Sequence, residues 1–274
     1  MRSILPMSLA AIALAAVSGW AAAKQQPPQA PQTAQAPQAP QPILEQKVTR
    51  AGHDYNKYSV YIPAGVPPDK ALPLMVVMQA AGQEALGQIS AWKGVADKNQ
   101  VMLLAPSVGT LSSDWDHLYD HPEWIRAAID ETRKNHSVDV RRMYLWGDSA
   151  GGMFAFYFGF LESNYFAAVA VHGSVIQNFK YQIADFATRK IPIAYYMGTR
   201  DGWWSLAQSH AVRDALTTRG FPLHYVELKG ADHEFFTHLD QVTGDAWEFL
   251  SQQALETDPK FEPIDLSKIK HALK

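Results

Sequence analysis

The chain has 274 residues, which is the length of one or two domains. Hydrophobic residues make up 47% and charged residues 19%, so a sizeable apolar core can form and wholesale disorder is excluded. The 24 basic and 27 acidic residues give a net charge of −3, which leaves no broad basic surface for nucleic acid. The chain has no cysteine, which excludes disulfide scaffolds, cysteine-based zinc sites and thiol nucleophiles.

The N-terminus has the pattern of an export signal, which we assign to residues 1–23. Arg2 supplies positive charge, Ile4–Trp20 is apolar, and the small residues Ala21–Ala23 suit cleavage by a signal peptidase. We therefore expect an exported protein, periplasmic or secreted, that begins near Lys24 and has no stable membrane insertion after cleavage. The alternative is an uncleaved anchor, because Ile4–Ala23 matches the ~20 residues that span a bilayer.

The rest of the chain divides by composition into three parts. Pro, Gln and Ala fill most of residues 24–43, which predicts an extended linker with no apolar face to bury. Residues 44–253 carry the apolar runs and are predicted to form one domain. Residues 254–274 are predicted to be a polar tail on the surface.

Strand-like apolar runs alternate with segments of helical periodicity, which predicts an α/β fold with a mostly parallel central sheet flanked by helices. The first predicted strand alternates in polarity and suits an antiparallel position, whereas the second is apolar throughout, as expected of a strand buried on both faces. In chain order, the predicted strands are Lys57–Ile62, Leu72–Met78, Val101–Ala105, Arg142–Trp146, Ala167–Val171, Ile191–Met197 and Leu223–Leu228. The predicted helices are Glu123–Asn135, Ala150–Leu161, Leu206–Thr218 and Phe236–Gln252.

Gly147–Gly151 fits the pattern G-x-S-x-G, with Ser149 at its centre. A predicted strand ends directly before this pentapeptide and a predicted helix begins directly after its serine, which is the arrangement of a nucleophile elbow. The glycines keep side chains away so that a sharp turn can close, and the helix N-terminus directs backbone N–H groups toward a developing anion. The alternative is a glycine-bounded turn without chemistry.

A serine hydroxyl needs a base within hydrogen-bonding reach and a third group that orients the base. Asp201 follows the predicted strand Ile191–Met197, and His233 follows the predicted strand Leu223–Leu228. The carboxyl ends of parallel strands meet at one edge of a sheet, where α/β proteins place functional groups. The chain order Ser149, Asp201, His233 is that of α/β hydrolases, so these three are the predicted catalytic residues.

Two residues near these positions are weaker candidates. His172 precedes the acid in the chain, which is the wrong order, and we interpret it as a satisfied polar residue near the rim of the site. Asp232 is adjacent to His233, and neighbouring side chains on a short turn diverge, so it is a poor group for orienting the base.

Acyl transfer produces a tetrahedral oxyanion that needs preorganised hydrogen-bond donors. We predict one donor at the N–H of Ala150, the residue after the nucleophile, and the other in the loop after the strand Leu72–Met78. Small residues in that loop let the backbone approach a ligand closely. The second donor is predicted at Ala81, with Ala80 as the alternative.

Together these motifs resemble the poly(3-hydroxybutyrate) depolymerase-like and feruloyl-esterase-like group of α/β hydrolases. The resemblance covers roughly residues 58–250 and rests on the elbow Gly147–Gly152, the preceding Val138–Tyr144, the turn Gly198–Asp201, and Gly230–His233. It implies an α/β-hydrolase fold and a serine esterase with a Ser-His-Asp triad and neither cofactor nor metal. Lipases of the hormone-sensitive type share the Gly-Asp-Ser-Ala-Gly-Gly string, but they carry a His-Gly-Gly-Gly loop and usually a cap domain, so they rank lower.

The substrate class is predicted from the surroundings of the triad. Residues 174–190 are too few for a large lid, which favours bulky or polymeric esters such as polyhydroxyalkanoates or the feruloyl and acetyl esters of polysaccharides. Trp115, Trp203 and Trp204 are candidate substrate contacts, because aromatic side chains at a rim stack on sugars and aromatic acyl groups. Packing of the loops themselves is the alternative for these tryptophans. Gln79 is a further candidate contact.

One departure from the resembled group concerns the start of the oxyanion loop. That group usually has His-Gly where this chain has Gln79 and Ala80. The departure keeps open a non-catalytic exported binding protein that retains the fold. A serine peptidase is the other alternative, because the same triad also cleaves amides.

Overall fold

The computed structural model describes residues 44–47, 57–107, 122–176 and 180–261. In chain order the strands are β1 Leu44–Lys47, β2 Lys57–Tyr61, β3 Leu72–Met78, β4 Met102–Ser107, β5 Val138–Asp148, β6 Ala168–His172, β7 Ile193–Gly198 and β8 Leu223–Leu228. The helices are α1 Ala85–Asn99, α2 Pro122–Asn135, α3 Ala150–Leu161, α4 Leu206–Thr218 and α5 Leu239–Ser251, with 3₁₀ turns at Tyr181–Phe186 and Phe235–His238. The predicted leader, the whole of the predicted linker, and Trp115 lie outside the described residues.

The pairing of the strands confirms the predicted α/β fold. Within the described ranges the strands form one sheet in the order β1-β2-β4-β3-β5-β6-β7-β8. The first two strands pair antiparallel, and every pairing from β4 through β3 to β8 is parallel. Because β4 and β5 lie on opposite sides of β3, the winding direction reverses there, and ligands of such sheets bind at the carboxyl strand ends beside the reversal. Gln79 and Ser149, which follow β3 and β5, therefore lie where a ligand site is expected.

Strand β3 illustrates how the sheet builds the core. All seven of its residues are buried. Leu74, Val76 and Met78 belong to one apolar cluster, and Met75 and Val77 belong to a second. This alternation is the two-residue period of a strand, and a strand covered on both faces is apolar throughout, as the sequence predicts.

Helix α3, which begins directly after Ser149, is apolar on every side. Eleven of its twelve residues are buried, so it packs within the protein rather than exposing one face. Gly159 allows a close approach to β6, because a Cβ at this position would lie 2.5 Å from Cγ2 of Val169. No helix in the described ranges is both long and apolar enough to cross a lipid bilayer. The buried packing of α3 fixes its first residue, and Ser149 with it.

Several elements differ from the sequence expectations. The pattern does not predict β1 or helix α1, and the buried side of α1 includes three alanines and Gln88 instead of large apolar residues throughout. The predicted helix Phe236–Gln252 is divided into a 3₁₀ turn and α5. In the predicted polar tail, Leu255 is buried. Its N–H donates to the carbonyl of Arg141 at 2.9 Å, and its carbonyl accepts from Nε of Arg141 at 2.6 Å. The first described residues of that tail are therefore anchored on β5.

We expect Gly159→Ala to lower the free energy of unfolding by about 1–3 kcal/mol, because the added methyl group overpacks the contact with the stiff side chain of Val169. The matched control is Gly94→Ala in helix α1, where no atom lies within 4 Å of the added Cβ. That exchange removes only the helix penalty of glycine and should raise stability by about 0.5–1 kcal/mol. Chemical denaturation measures both changes, and effects of the same sign would contradict the tight contact between helix and sheet.

Candidate active site

Ser149 lies in the turn between β5 and α3. Its backbone has φ 50° and ψ −112°, a left-handed conformation that strains an L-residue by about 1–3 kcal/mol. Its N–H donates to the carbonyl of His172 at 2.9 Å, and its own carbonyl accepts from the N–H of Met153 at 3.0 Å. These bonds tie the turn to the end of β6 on one side and to the first turn of α3 on the other.

Glycines at the turn are required by close backbone contacts. A Cβ on Gly147 would lie 2.2 Å from the carbonyl oxygen of Gly151, and a Cβ on Gly151 would lie 2.5 Å from that of Met78. A Cβ on Gly152 would meet the side chain of Ser174 at 2.8 Å. Since a side chain could not be accommodated at these distances, the glycines allow the strand, the helix and the loop after β3 to meet at one point.

His233 contacts both other members of the predicted triad. Its Nε2 lies 2.9 Å from Oγ of Ser149, and its Nδ1 lies 2.7 Å from Oδ2 of Asp201. The Asp201 carboxylate is fully buried, and its Oδ1 accepts hydrogen bonds from the N–H groups of Trp203 and Trp204, each at 2.8 Å. The structure therefore brings together three side chains that follow β5, β7 and β8.

The loops after β7 and β8, which carry the acid and the base, are bonded to each other. The N–H of Arg200 donates to the carbonyl of Ala231 at 2.8 Å. A Cβ on Gly198 would lie 2.5 Å from the carbonyl oxygen of Asp232, so a larger residue would separate the loops. Gly173, with φ 55°, lies beside the imidazole, because its Cβ would be 3.3 Å from Cε1 of the ring. The sequence analysis did not predict these contributions of Gly173 and Gly198. The signal that could have indicated them is a glycine at the end of a strand or directly after it.

The surroundings of Asp201 and His233 shift their pKa values in opposite directions. Burial alone would raise the pKa of Asp201, but hydrogen bonds from His233 and the N–H groups of Trp204 and Trp203 outweigh it and lower that pKa. Burial would lower the pKa of His233, but the hydrogen bond and charge of Asp201 outweigh it and raise that pKa, with a further contribution from the charge of Asp148. Asp201 is therefore kept charged, and His233 is a stronger base than an ordinary histidine.

The two predicted oxyanion donors lie on segments that touch. Ala150 is the first residue of α3, so its N–H has no acceptor within the helix. The loop after β3 lies against this helix start, since the carbonyl oxygens of Met78 and Gln79 are 2.5 and 2.6 Å from the position of a Cβ on Gly151. The start of α3 and the loop after β3 thus meet beside Ser149.

The loop after β3 continues as a tight turn, in which the N–H of Gln83 donates to the carbonyl of Ala80 at 3.2 Å. Gly82 has φ 74° and supplies the conformation that an L-residue avoids, while Ala81 is exposed. Gln79 is only 1% exposed, and its side-chain amide donates to the carbonyl of Gln83 at 3.1 Å. The side chain of Gln79 braces the turn, and its contact with substrate stays a prediction.

The other candidates differ in exposure. The side chain of Trp203 is 76% exposed, and its ring centroid lies 5.9 Å from that of His233. Trp204 is half-buried and packs against the core. His172 is fully buried because β6 lies inside the sheet, and its Nδ1 is 2.9 Å from Oδ1 of Asp148, which corrects its predicted place at the rim. Within the described ranges, no group of three or more histidine and carboxylate side chains is arranged to hold a metal ion.

Sequence comparison gives a family match and a curated relative. Residues 111–255, more than half of the chain, match the model of the dienelactone hydrolase family. Over 155 residues the chain is 31% identical to a bifunctional acetylxylan esterase/xylanase, XynS20E, of Neocallimastix patriciarum. This match covers 55% of the present chain but only 22% of that relative, so the chain spans a small part of the relative's length.

Structural comparison gives neighbours of one fold. A thermostable esterase is similar with a TM-score of 0.60 and 20% identity, over 77% of this chain and 63% of that one. Est1E from Butyrivibrio proteoclasticus is similar with a TM-score of 0.62 and 16% identity, over 76% of this chain and 98% of that one. At these identities the likeness concerns the fold, which is the α/β-hydrolase fold.

The geometry predicts how His233 titrates in the free protein. We expect its ring resonances in NMR to titrate above the ordinary histidine pKa of about 6.5, and at lower pH in Asp201→Asn, because the charge that favours the imidazolium is removed. The matched control is Asp232→Asn, which changes an exposed carboxylate next to His233 in the chain and should have little effect. An unchanged titration in Asp201→Asn would contradict the assigned contact.

Proposed function

This chain belongs to the dienelactone hydrolase family, and we propose that it is an exported serine hydrolase that cleaves carboxylic esters. Esterases of the α/β-hydrolase type are the class that the sequence resemblance implied; the comparisons show the family and the fold, and the esterases among the relatives support this activity. The serine mechanism is carried by one observation, the continuous chain of contacts from Ser149 through His233 to Asp201. Export rests on the leader pattern of residues 1–23, followed by the linker 24–43 and a catalytic domain at 44–253.

In the proposed reaction, Ser149 Oγ attacks the ester carbonyl while Nε2 of His233 accepts the serine proton. The imidazolium then donates this proton to the leaving alcohol as the tetrahedral intermediate collapses to an acyl-enzyme. Asp201 fixes the tautomer of His233 that carries hydrogen on Nδ1, and its buried charge stabilises the imidazolium. Water, activated by the same base, releases the acyl group and restores the serine.

The tetrahedral oxyanion is proposed to accept hydrogen bonds from the N–H groups of Ala150 and Ala81. Loss of one such donor raises the barrier by about 2.7–4 kcal/mol in a comparable site. Backbone groups supply both donors, so Gln79 in place of the usual histidine of the resembled group does not remove either one. Its buried amide, bonded to the carbonyl of Gln83, instead holds the loop that carries Ala81.

The proposed substrates are bulky or polymeric esters, namely polyhydroxyalkanoates or feruloyl and acetyl esters of polysaccharides. The relative named as an acetylxylan esterase/xylanase supports the polysaccharide side of this proposal. The exposed ring of Trp203 beside His233 also supports it, because an aromatic face at the mouth of a site stacks on sugar or phenolic rings.

Labelling of the mature protein with a fluorophosphonate probe, followed by peptide mass mapping, tests the nucleophile. We expect one label, on Ser149, and its loss in Ser149→Ala together with a fall in esterase kcat of about 10⁴-fold or more. The matched control is Ser251→Ala, which removes an exposed hydroxyl at the end of α5 and should leave labelling unchanged.

Two outcomes of this experiment would contradict the proposed function. Folded wild-type protein that takes no label, and hydrolyses no ester, would favour a binding protein that retains the fold. A labelled serine whose turnover is faster on peptides than on esters would favour a serine peptidase on the same triad.

We expect Trp203→Ala to raise KM for aryl and polysaccharide esters by about 2- to 10-fold, because the stacking surface beside His233 is lost. Hydrolysis of a small acetyl ester should change little, since the hydrogen bond from Trp203 to Asp201 comes from the backbone and survives the substitution. Trp203→Phe keeps an aromatic ring at this position, so its KM should lie close to that of the wild type. A parallel loss of kcat on all esters would instead indicate that Trp203 supports the triad and does not bind substrate.

A further inference from the structure

A second histidine–carboxylate pair lies beside the elbow, and the proposed reaction does not use it. Asp148 and His172 are partners across β5 and β6, and His172 Nδ1 lies 2.9 Å from Asp148 Oδ1. The two side chains are 3% and 0% exposed. A charged group buried this deeply is unfavourable unless it is paired, and replacing such a pair by apolar residues is often neutral or stabilising. Stability alone therefore does not account for this pair.

The pair joins the segments that carry the nucleophile and the base. Asp148 directly precedes Ser149, whose N–H donates to the carbonyl of His172 at 2.9 Å. His172 directly precedes Gly173, which lies against the ring of His233. One side-chain bond and one backbone bond thus connect the elbow to the strand end beneath the imidazole.

The ring of His172 also supports the turn after the base. Its centroid lies 5.5 Å from that of Phe235, the first residue of the 3₁₀ turn that follows His233 by two positions. Phe235 is buried and in turn packs on Trp146 of β5, with ring centroids 5.0 Å apart. Movement of His172 would therefore be transmitted to the segment that holds His233.

The charge of the pair resides on Asp148. Within the described residues, Nε2 of His172 has no hydrogen-bond partner, which suits a neutral ring with its hydrogen on Nδ1, donated to Asp148. The carboxylates that act on His233 are Asp201 by direct contact, and Asp148 and Glu234 through their charge. Of these three, Asp148 alone is both buried and without contact to the base.

We propose that Asp148 and His172 are a positioning pair for the reaction: they hold the Ser149 elbow against the segment carrying His233, and Asp148 adds a second negative charge that stabilises the imidazolium. The proposal rests on the proposed serine mechanism. It assigns the two members different effects. His172 acts through geometry alone, whereas Asp148 acts through geometry and charge.

Asp148→Asn and His172→Asn separate these effects. Asp148→Asn retains an acceptor for His172 but removes the charge, so the acid limb of kcat/KM should move to lower pH and kcat should fall about tenfold or more, with KM nearly unchanged. His172→Asn retains an N–H donor but loses the ring, so kcat should fall similarly while the acid limb stays in place. The matched control is Glu227→Gln. Glu227 forms an exposed histidine–carboxylate pair with His210, in which Oε1 lies 2.7 Å from Nε2, and this variant should resemble wild type.

NMR titration of His233 in each folded variant supplies a readout that needs no turnover. A lower pKa of His233 in Asp148→Asn, but not in His172→Asn or Glu227→Gln, supports the proposal. A pKa of His233 that is the same as in wild type in all three variants overturns it. Should Asp148→Asn not fold, an unchanged kcat in His172→Asn overturns it. Wild-type protein that hydrolyses no ester would refute the proposed function. The effect of the Asp148 charge on His233 can still be tested in that case, because the NMR titration does not require turnover.

Discussion

A serine with φ 50° at the junction of a strand and a helix persists only if its surroundings prevent the backbone from relaxing. Here the restraint comes from helix α3, which is buried on nearly every side, and from the hydrogen bond between Ser149 and the end of β6. The glycines at 147 and 151 lack the side chains that would otherwise push β5, α3 and the loop after β3 apart. The hydroxyl is thereby held at the carboxyl edge of the sheet, where His233 and Asp201 also lie.

The parallel sheet converts residues that are distant in the chain into one site. Ser149, Asp201 and His233 each follow a strand that ends at the same edge, so the sheet supplies their proximity without a dedicated domain. The loops after β7 and β8 are then bonded to each other through their backbones, which fixes the acid relative to the base. Burial strengthens every charge interaction there, and the net result is a carboxylate held ionised beside a histidine of raised pKa.

The parallel strands and the proximity of Ser149, Asp201 and His233 could be predicted from the sequence, because a polar residue directly after an apolar strand lies at the carboxyl edge of a parallel sheet. Helix α1 could not, since alanines and Gln88 form part of its buried side, and Gln88 is buried only because its Oε1 accepts from the indole N–H of Trp146. The contact of Asp148 with His172 depends on the register between β5 and β6, which one sequence does not reveal. The inward turn of Gln79 likewise depends on the conformation of its own loop.

Acyl-enzyme trapping tests the central claim, that Ser149 is activated by His233, most directly. The protein is mixed with an activated acetyl ester such as p-nitrophenyl acetate, quenched with acid during turnover, and digested for peptide mass analysis. The account predicts a single acetyl group on the peptide that contains Ser149, and a rate of acetylation, measured at early times after mixing, that falls when His233 is replaced by Gln. Acetylation of a different residue, or full occupancy of Ser149 at the same rate without His233, would contradict it.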